Sequence, residues 1–187
     1  MINDFYNIEL TDKADVKEKS AYESCRFVGI DLAGIDLSNS KFLDCTFEDC
    51  NLSNCKIMAT LFNGVIFQKC KLMGLHFEDA NPFGLSIHFE HCQLHHASFY
   101  QMNLQNCAFH FCNLESVEFT QIKAQGVSFE GSHLQDAHFE KSDIREANFT
   151  GVSAFCLDPD WNEIKGIKIP YDQLSSLVAK YGLNIQH

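Results

Sequence analysis

Large apolar residues recur at every fifth position over about two-thirds of this 187-residue chain. The first series runs from Tyr22 to Phe77 and the second from Phe89 to Phe149, and only Ala124 among these central residues is small. A helix repeats every 3.6 residues and a strand every 2, so a period of five fits neither. The period instead predicts short extended stretches joined by corners, in which four sides close a coil of about 20 residues and coils stack as a solenoid.

The positions around each central residue support the same interpretation. Two residues before it stands a small or medium side chain, such as Cys50, Val65 or Ala97, which can also face inward. Two residues after it, Gly64 and Asn54 are typical, and these residue types tolerate tight corners. In the second half, Phe alternates with a smaller central residue, which predicts phenylalanine on two opposite walls of the coil.

Several five-residue units resemble the A(D/N)LXX motif of the pentapeptide repeat family. Examples are Cys-Asn-Leu-Ser-Asn at 50–54, Cys-Asn-Leu-Glu-Ser at 112–116 and Ala-Asn-Phe-Thr-Gly at 147–151. The resemblance covers roughly residues 20–151. It implies an all-β solenoid, a right-handed quadrilateral β-helix, to which we add a small C-terminal helical cap.

The series divides the chain into five segments. We expect an N-terminal cap at 1–21, repeat coils at 22–77, a loop and register break at 78–88, and repeat coils at 89–151. A C-terminal helical cap and dimerisation segment follows at 152–187. The break is expected because the spacing from Phe77 to Phe89 exceeds two repeats of five by two positions. Pro82 and Gly84 favour a loop there, and Phe83 is either tucked against the column or exposed for a partner.

The C-terminal segment carries helix signals and an apolar stripe. Asp158 and Pro159 are typical of a helix cap and first position, and Pro170 introduces a second helix. Through Trp161-Asn162 and the Ile-Lys-Ile-Pro stretch at 167–170, residues 158–185 resemble the end of the quinolone-resistance (Qnr-type) and microcin-immunity pentapeptide proteins, which implies a homodimer. The dimerisation residues predicted on this basis are Trp161, Ile167, Leu174, Leu177, Val178 and Tyr181.

Composition argues against several classes of function. The net charge is −11, and residues 22–151 hold 16 Asp and Glu against 8 Lys and Arg. With no basic stripe for phosphates, we expect no direct binding to nucleic acid. No apolar run approaches the length of a membrane span, and the N-terminus lacks the features of a signal peptide. A cytoplasmic protein without membrane contact is the simplest prediction.

Cysteines and histidines give no firm sign of a metal. Eight of the nine cysteines occupy the inward position, which predicts buried reduced thiols, and only Cys156 lies outside the pattern. Six histidines between His76 and His110 fall at outward positions, where exposed side chains are expected and a zinc site between coils is the alternative. No catalytic or cofactor-binding motif occurs. We therefore expect no metal, no cofactor and no enzyme activity.

Two functions remain open. The resemblance implies a protein that binds DNA gyrase or topoisomerase IV and protects it from quinolones or toxins, with an acidic rod acting as a DNA mimic. The alternative is a passive scaffold or adaptor for an unidentified protein. The residues predicted to bind the partner are Asp31, Asp36, Glu48, Asp49, Glu78, Asp79, Phe83, Glu115, Glu118, Glu130 and Glu140.

Overall fold

The computed structural model describes residues 3–182, and the remainder of both predicted caps, residues 1–2 and 183–187, lies outside that range. Its strands are β1 (Asp4–Tyr6), β2 (Glu9–Leu10), β3 (Ala21–Glu23), β4 (Arg26–Val28), β5 (Lys41–Leu43), β6 (Thr46–Glu48), β7 (Leu61–Asn63), β8 (Val65–Gln68), β9 (Ile87–Glu90) and β10 (Ala108–His110). They form two parallel sheets, β1-β3-β5-β7 and β2-β4-β6-β8-β9-β10. Isolated parallel bridges, such as Asp31 to Asn51 and Asp36 to Lys56, continue the stacking where strands are absent.

This in-register stacking produces a solenoid with four walls, which we number by their central residues. Wall 1 has Tyr22, Phe42, Phe62, Leu104, Ala124 and Ile144, and wall 2 has Phe27, Phe47, Phe67, Phe89, Phe109, Phe129 and Phe149. Wall 3 has Leu32, Leu52, Leu72, Leu94, Leu114 and Leu134, and wall 4 has Leu37, Ile57, Phe77, Phe99, Phe119 and Phe139. These side chains are all buried, so the prediction of an inward central residue is confirmed.

The corner residues adopt the left-handed conformation that the sequence predicts. Asp44, Asn54 and Gly64 all have positive φ values. Phe111 does so too, at φ 54°, and its ring lies where a Cβ on Gly131 would come within 2.4 Å of it. A larger residue at 131 would therefore push the Phe111 ring aside and would also have to adopt the positive φ of 69° found there.

Phenylalanine stacks change walls along the column. In the second half they occupy walls 2 and 4, on opposite sides, as predicted; Phe109 and Phe129 stack at 5.1 Å between ring centroids. In the first half the aromatic rings occupy walls 1 and 2, which are adjacent, and Phe27 and Phe42 meet edge to face at 5.7 Å. The change from wall 1 to wall 4 occurs between Phe62 and Phe77, whose rings are tilted and 6.5 Å apart.

The register break lies at one corner of wall 1. Leu61 pairs with Asn81, which keeps the spacing of four repeats, whereas Val65 pairs with Ile87, which exceeds that spacing by two positions. The two extra residues are therefore accommodated between Asn81 and Ile87. We call residues 82–85 the corner loop; its last residue, Leu85, is buried.

The stacked coils extend further toward both ends of the chain than the sequence predicted. β1 and β2 pair with β3 and β4, and Phe5 stacks on Tyr22 at 4.9 Å, so the first coil begins in the segment expected to be only a cap. The offset between paired residues of β1 and β3 is not a multiple of five, so the five-residue pattern in the sequence did not reveal this coil. At the other end, Asn148 pairs with Lys168. The helical part is short: 3₁₀ turns at Pro159–Trp161, Tyr171–Gln173 and Ala179–Tyr181, and α1 (Leu174–Val178).

Buried thiols and hydroxyls at the inward companion position bond to the coil before them. Cys50 Sγ donates to the Phe27 carbonyl at 3.3 Å, and Ser142 Oγ donates to the Phe119 carbonyl at 2.7 Å. In both cases the acceptor is the carbonyl of a central residue in the preceding coil. Sequence reasoning treated these cysteines as small apolar residues, and the structure adds a hydrogen-bonding role.

We predict that Phe99→Ala lowers the free energy of unfolding by about 3–5 kcal/mol, because the ring is fully buried between Phe77 and Phe119. Phe83→Ala is the matched control; that ring is 80% exposed, so the expected change is within about 0.5 kcal/mol. Urea denaturation followed by circular dichroism measures both. Equal losses in the two variants would contradict the assigned core.

We also predict that Cys156 alone among the nine thiols reacts rapidly with a water-soluble disulfide reagent in the native protein. The other eight thiols are buried and Cys156 is exposed. Burial raises the pKa of Cys45 to about 12 and the pKa of Cys55 and Cys107 to about 11, so raising the pH to 9 should not release them. Cys156→Ser should abolish the fast phase; a fast phase that persists in this variant would refute the prediction.

Candidate functional site

The predicted acidic residues lie on three of the four walls. Wall 3 carries Asp31 and Glu115, wall 2 carries Glu48, Asp49 and Glu130, and wall 4 carries Asp36, Glu78, Asp79, Glu118 and Glu140. All are exposed or half-buried. The acidic surface is therefore distributed, with half of the predicted carboxylates on wall 4.

Wall 2 compensates part of its negative charge with its own side chains. Arg26 donates to Glu9 at 2.6 Å and to Glu48 at 2.8 Å. Gln68 Nε2 donates to Glu90 at 2.9 Å one coil further on. Because β4, β6, β8 and β9 stack in register, these side chains lie beside one another. Part of the negative charge on wall 2 is therefore paired within the wall.

Wall 4 combines carboxylates with exposed large side chains. Between residues 36 and 141 its outward positions hold five carboxylates against two lysines, Lys56 and Lys141. Asp36 Oδ1 accepts from the backbone N–H of Ser38, and hydrogen bonds from Ser38 lower the pKa of this carboxyl below its usual value. Met58 and Tyr100 expose large side chains on the same wall. This combination suits contact with a protein partner.

Glu78 occupies the centre of wall 4, one residue after Phe77. Its Oε1 accepts from Ser98 Oγ at 2.8 Å and lies 3.2 Å from His76 Nδ1. Its Oε2 is buried and has no hydrogen-bond partner among the described residues. The carboxylate is thus held in place by one oxygen while the other has no donor.

A groove lies between Glu78 and the corner loop, and we call it the corner groove. It has a volume of about 550 Å³. Its lining comprises Glu78, Ala80, Pro82, Leu85, Tyr100, Gln101, Met102 and Asn103. Phe83, in the corner loop, is 80% exposed, so of the two positions that the sequence allowed for this ring, the exposed one is found.

A second groove on wall 4 surrounds Trp161. It holds about 510 Å³ and is lined in part by Glu118, His138 and Glu140. The ammonium group of Lys141 lies 5.7 Å from the centroid of the Trp161 ring and 3.4 Å from Glu140. A cation of the chain itself therefore already lies against the Trp161 ring and pairs with Glu140.

The predicted dimerisation residues separate into four environments. Ile167, Leu174 and Leu177 line one apolar groove with Ile164, Ile169, Pro170 and Tyr171, which we call the end groove. Val178 packs against the core. Trp161 lies on wall 4, and the Tyr181 hydroxyl donates to Asp160 at 3.0 Å, beside the ion pairs that Lys180 makes with Asp158 and Asp160.

Other kinds of site receive no support from the geometry. Within residues 3–182, no three His, Cys, Asp or Glu side chains converge where they could hold a metal ion. The six clustered histidines are exposed or half-buried on three different walls. None of the helices in the described part of the chain is long and apolar enough to cross a membrane.

Family models match two separate parts of this sequence. A model described as "Pentapeptide repeat region" matches residues 85–153, and one described as "Pentapeptide repeats (8 copies)" matches residues 23–54. Together these segments cover more than half of the chain. The chain belongs to the pentapeptide repeat family. Its solenoid is a right-handed quadrilateral β-helix.

Solved structures extend this fold over the whole length of the pentapeptide repeat protein. A trypsin-treated variant of QnrB1, a plasmid-mediated fluoroquinolone resistance protein, superposes with a TM-score of 0.67 at 17% identity, covering 99% of this chain and 98% of that one. A second trypsin-treated QnrB1 variant has a TM-score of 0.67 at 16% identity and covers all of both chains. No curated protein sequence matches this one. At sequence identities this low, the structural similarity establishes the fold alone.

Sequence reasoning selected Glu78 and Phe83 but missed the groove between them. It also missed Tyr100, Gln101 and Met102, which face the groove from the next coil of the repeat protein. Residues of one wall stand four repeats apart, or four repeats plus two positions across the register break. Grouping the carboxylates by this spacing would have shown on which wall each one lies. No sequence signal shows that one Glu78 oxygen lacks a donor.

Proposed function

We propose that this protein is a non-enzymatic, acidic binding module whose wall 4 contacts a protein partner. The observation that supports this most is the concentration on wall 4 of five predicted carboxylates, exposed aromatic side chains and two grooves. Uncompensated carboxylates favour a basic partner and speed association with it. Aromatic side chains with a polar rim are typical of the residues that contribute most to binding energy.

A bacterial type II topoisomerase is the partner we propose. The support is the fold shared with QnrB1, a fluoroquinolone resistance protein, because fluoroquinolones act on DNA gyrase and topoisomerase IV. Protection of the enzyme by occupation of its DNA-binding surface would explain resistance without any chemical step. A binding module in the cytoplasm, where such enzymes act, is part of the same proposal.

Electrostatics support a partial DNA mimic more than a full one. Between Arg26 and Asn148 the wall 2 register makes six steps, which is about 29 Å at ~4.8 Å per step. A duplex of that length carries about 17 charges. Residues 22–151, with 16 acidic and 8 basic side chains, carry a net charge of −8, about half of that density. We therefore propose that one wall, rather than the whole circumference, resembles DNA to the partner.

The second candidate function is a scaffold or adaptor for another protein. The spread of carboxylates over walls 2, 3 and 4 favours it, since a mimic of one ligand needs only one charged face. In that case the charge of the distributed surface serves mainly for solubility. Competition distinguishes the two candidates, because a DNA mimic must be displaced from its partner by DNA.

We predict that the purified protein, added in a concentration series, relieves fluoroquinolone poisoning of DNA gyrase in a supercoiling and cleavage assay, and that added DNA reverses its binding. The double variant Asp79→Lys/Glu140→Lys, on wall 4, should require at least about tenfold more protein for the same effect. Asp49→Lys/Glu130→Lys makes the same charge change on wall 2 and should stay within about twofold. No effect on gyrase or topoisomerase IV would reject the topoisomerase proposal, and equal losses in both double variants would reject wall 4.

We also propose that the end groove joins two copies of the chain into a homodimer. Leu174 and Tyr171 expose large apolar side chains there, and apolar terminal faces of this kind build two-fold interfaces. Leu174→Asp should convert the dimer to a monomer in sedimentation velocity. Phe83→Asp, which places the same charge at an exposed apolar position of the corner loop, should leave the dimer intact. A wild-type protein that sediments as a monomer at micromolar concentration would contradict the proposal.

A further inference from the structure

We propose that the corner groove binds the side chain of an arginine presented by the protein partner. This inference rests on the proposed protein-binding function and specifies what that partner must supply. It follows from four features of the groove: an apolar floor, a carboxylate oxygen without a donor, an exposed aromatic ring, and a lining of described residues that includes no cation.

The floor of the groove suits the aliphatic part of an arginine. Ala80, Leu85 and Met102 line it, and each is more than nine-tenths buried. Long cationic side chains lay their methylene groups along apolar surface while the charged end remains at a polar site. A small anion would gain nothing from these contacts.

Glu78 provides the polar end. Its Oε1 is already engaged by Ser98 and His76, which holds the carboxylate in one orientation. Its Oε2 has no donor among the described residues and is covered in the empty groove, so a ligand's N–H groups reach it only when the carboxylate pivots on its Oε1 contacts. The hydrogen bonds then made recover the free energy that a buried acceptor without a partner costs. Hydrogen bonds between a carboxylate and a cationic donor are the strongest of this kind.

Tyr100 favours guanidinium over ammonium. Its ring is 40% exposed at the groove, and its hydroxyl accepts from Gln101 Nε2 at 3.1 Å, while that amide also donates to Gln121 at 2.8 Å. Gln121, in the following coil, therefore helps to fix the orientation of the Tyr100 ring through Gln101. A planar guanidinium stacks on such a ring while its N–H groups point sideways to a carboxylate, which an ammonium group cannot reproduce.

The other two wall 4 grooves each have a lysine in the lining or against a lining ring, unlike the corner groove. A shallow groove around Met58 and His76 is lined by Lys56, and Lys141 covers Trp161. Among residues 3–182, no Lys or Arg lines the corner groove, although Glu78 and the neighbouring Asp79 are both acidic. The missing positive charge is thus the group that a partner must bring.

Methionine methyl groups offer a direct readout in the intact protein. The chain has four methionines; Met102 lines the corner groove, while Met58 and Met73 lie elsewhere on the surface. With ¹³C-methyl methionine labelling, titration with Nα-acetylarginine amide should shift the Met102 signal saturably and leave Met58 and Met73 unchanged. Nα-acetylcitrulline amide, which is neutral and nearly isosteric, should cause no saturable shift, and Nα-acetyl-lysine amide should bind at least about threefold more weakly.

Glu78→Gln should weaken arginine amide binding at least about tenfold, whereas Glu140→Gln, the same charge change three coils further along wall 4, should change it less than twofold. Unchanged Met58 and Met73 signals confirm that each variant is folded. No saturable shift at Met102, equal binding of citrulline amide or lysine amide, or equal losses in both variants would overturn the proposal. The titration contains no topoisomerase, so its failure would leave the gyrase prediction standing, and failure of the gyrase prediction would leave the groove assignment standing.

Discussion

The structure depends on in-register stacking of identical inward positions, coil upon coil. Each large central side chain packs against its counterpart one coil away, and the Phe109 and Phe129 rings, 5.1 Å apart and nearly parallel, show how closely this repeat is kept. Parallel backbone hydrogen bonds enforce the same spacing. Stacking determines function as well, because every outward residue is aligned with those four repeats away, and surface chemistry is therefore organised by wall.

The two extra residues at the break have consequences on both sides of the wall. Inside, they accompany the transfer of the aromatic stack from wall 1 to wall 4, between Phe62 and Phe77. Outside, they raise the corner loop, expose Phe83 and leave the corner groove open beside Glu78. One local insertion thus supplies the feature that most distinguishes the surface of this solenoid from a uniform repeat.

Much of the fold could be predicted from the sequence, because burial in a solenoid is strictly periodic. The central residues, the inward cysteines, the corner at Gly64 and the location of the break are all confirmed. The first coil was missed because the spacing from Phe5 to Tyr22 is not a multiple of five. The last was missed because Ala154 and Pro159 interrupt the series before Ile164 and Ile169 resume it. The corner groove could not be predicted, since it depends on how the loop backbone folds away from Tyr100 and Met102.

The central claim is that wall 4, rather than the equally repetitive wall 2, faces the partner. Site-specific photo-cross-linking tests it most directly: p-benzoylphenylalanine replaces Tyr100 on wall 4 or Phe111 on wall 2, both exposed aromatic positions, and each protein is irradiated with DNA gyrase. If wall 4 faces the partner, position 100 forms a cross-link to a gyrase subunit that DNA suppresses, and position 111 forms little. Equal cross-linking from both positions, or cross-linking from position 111 alone, would contradict it.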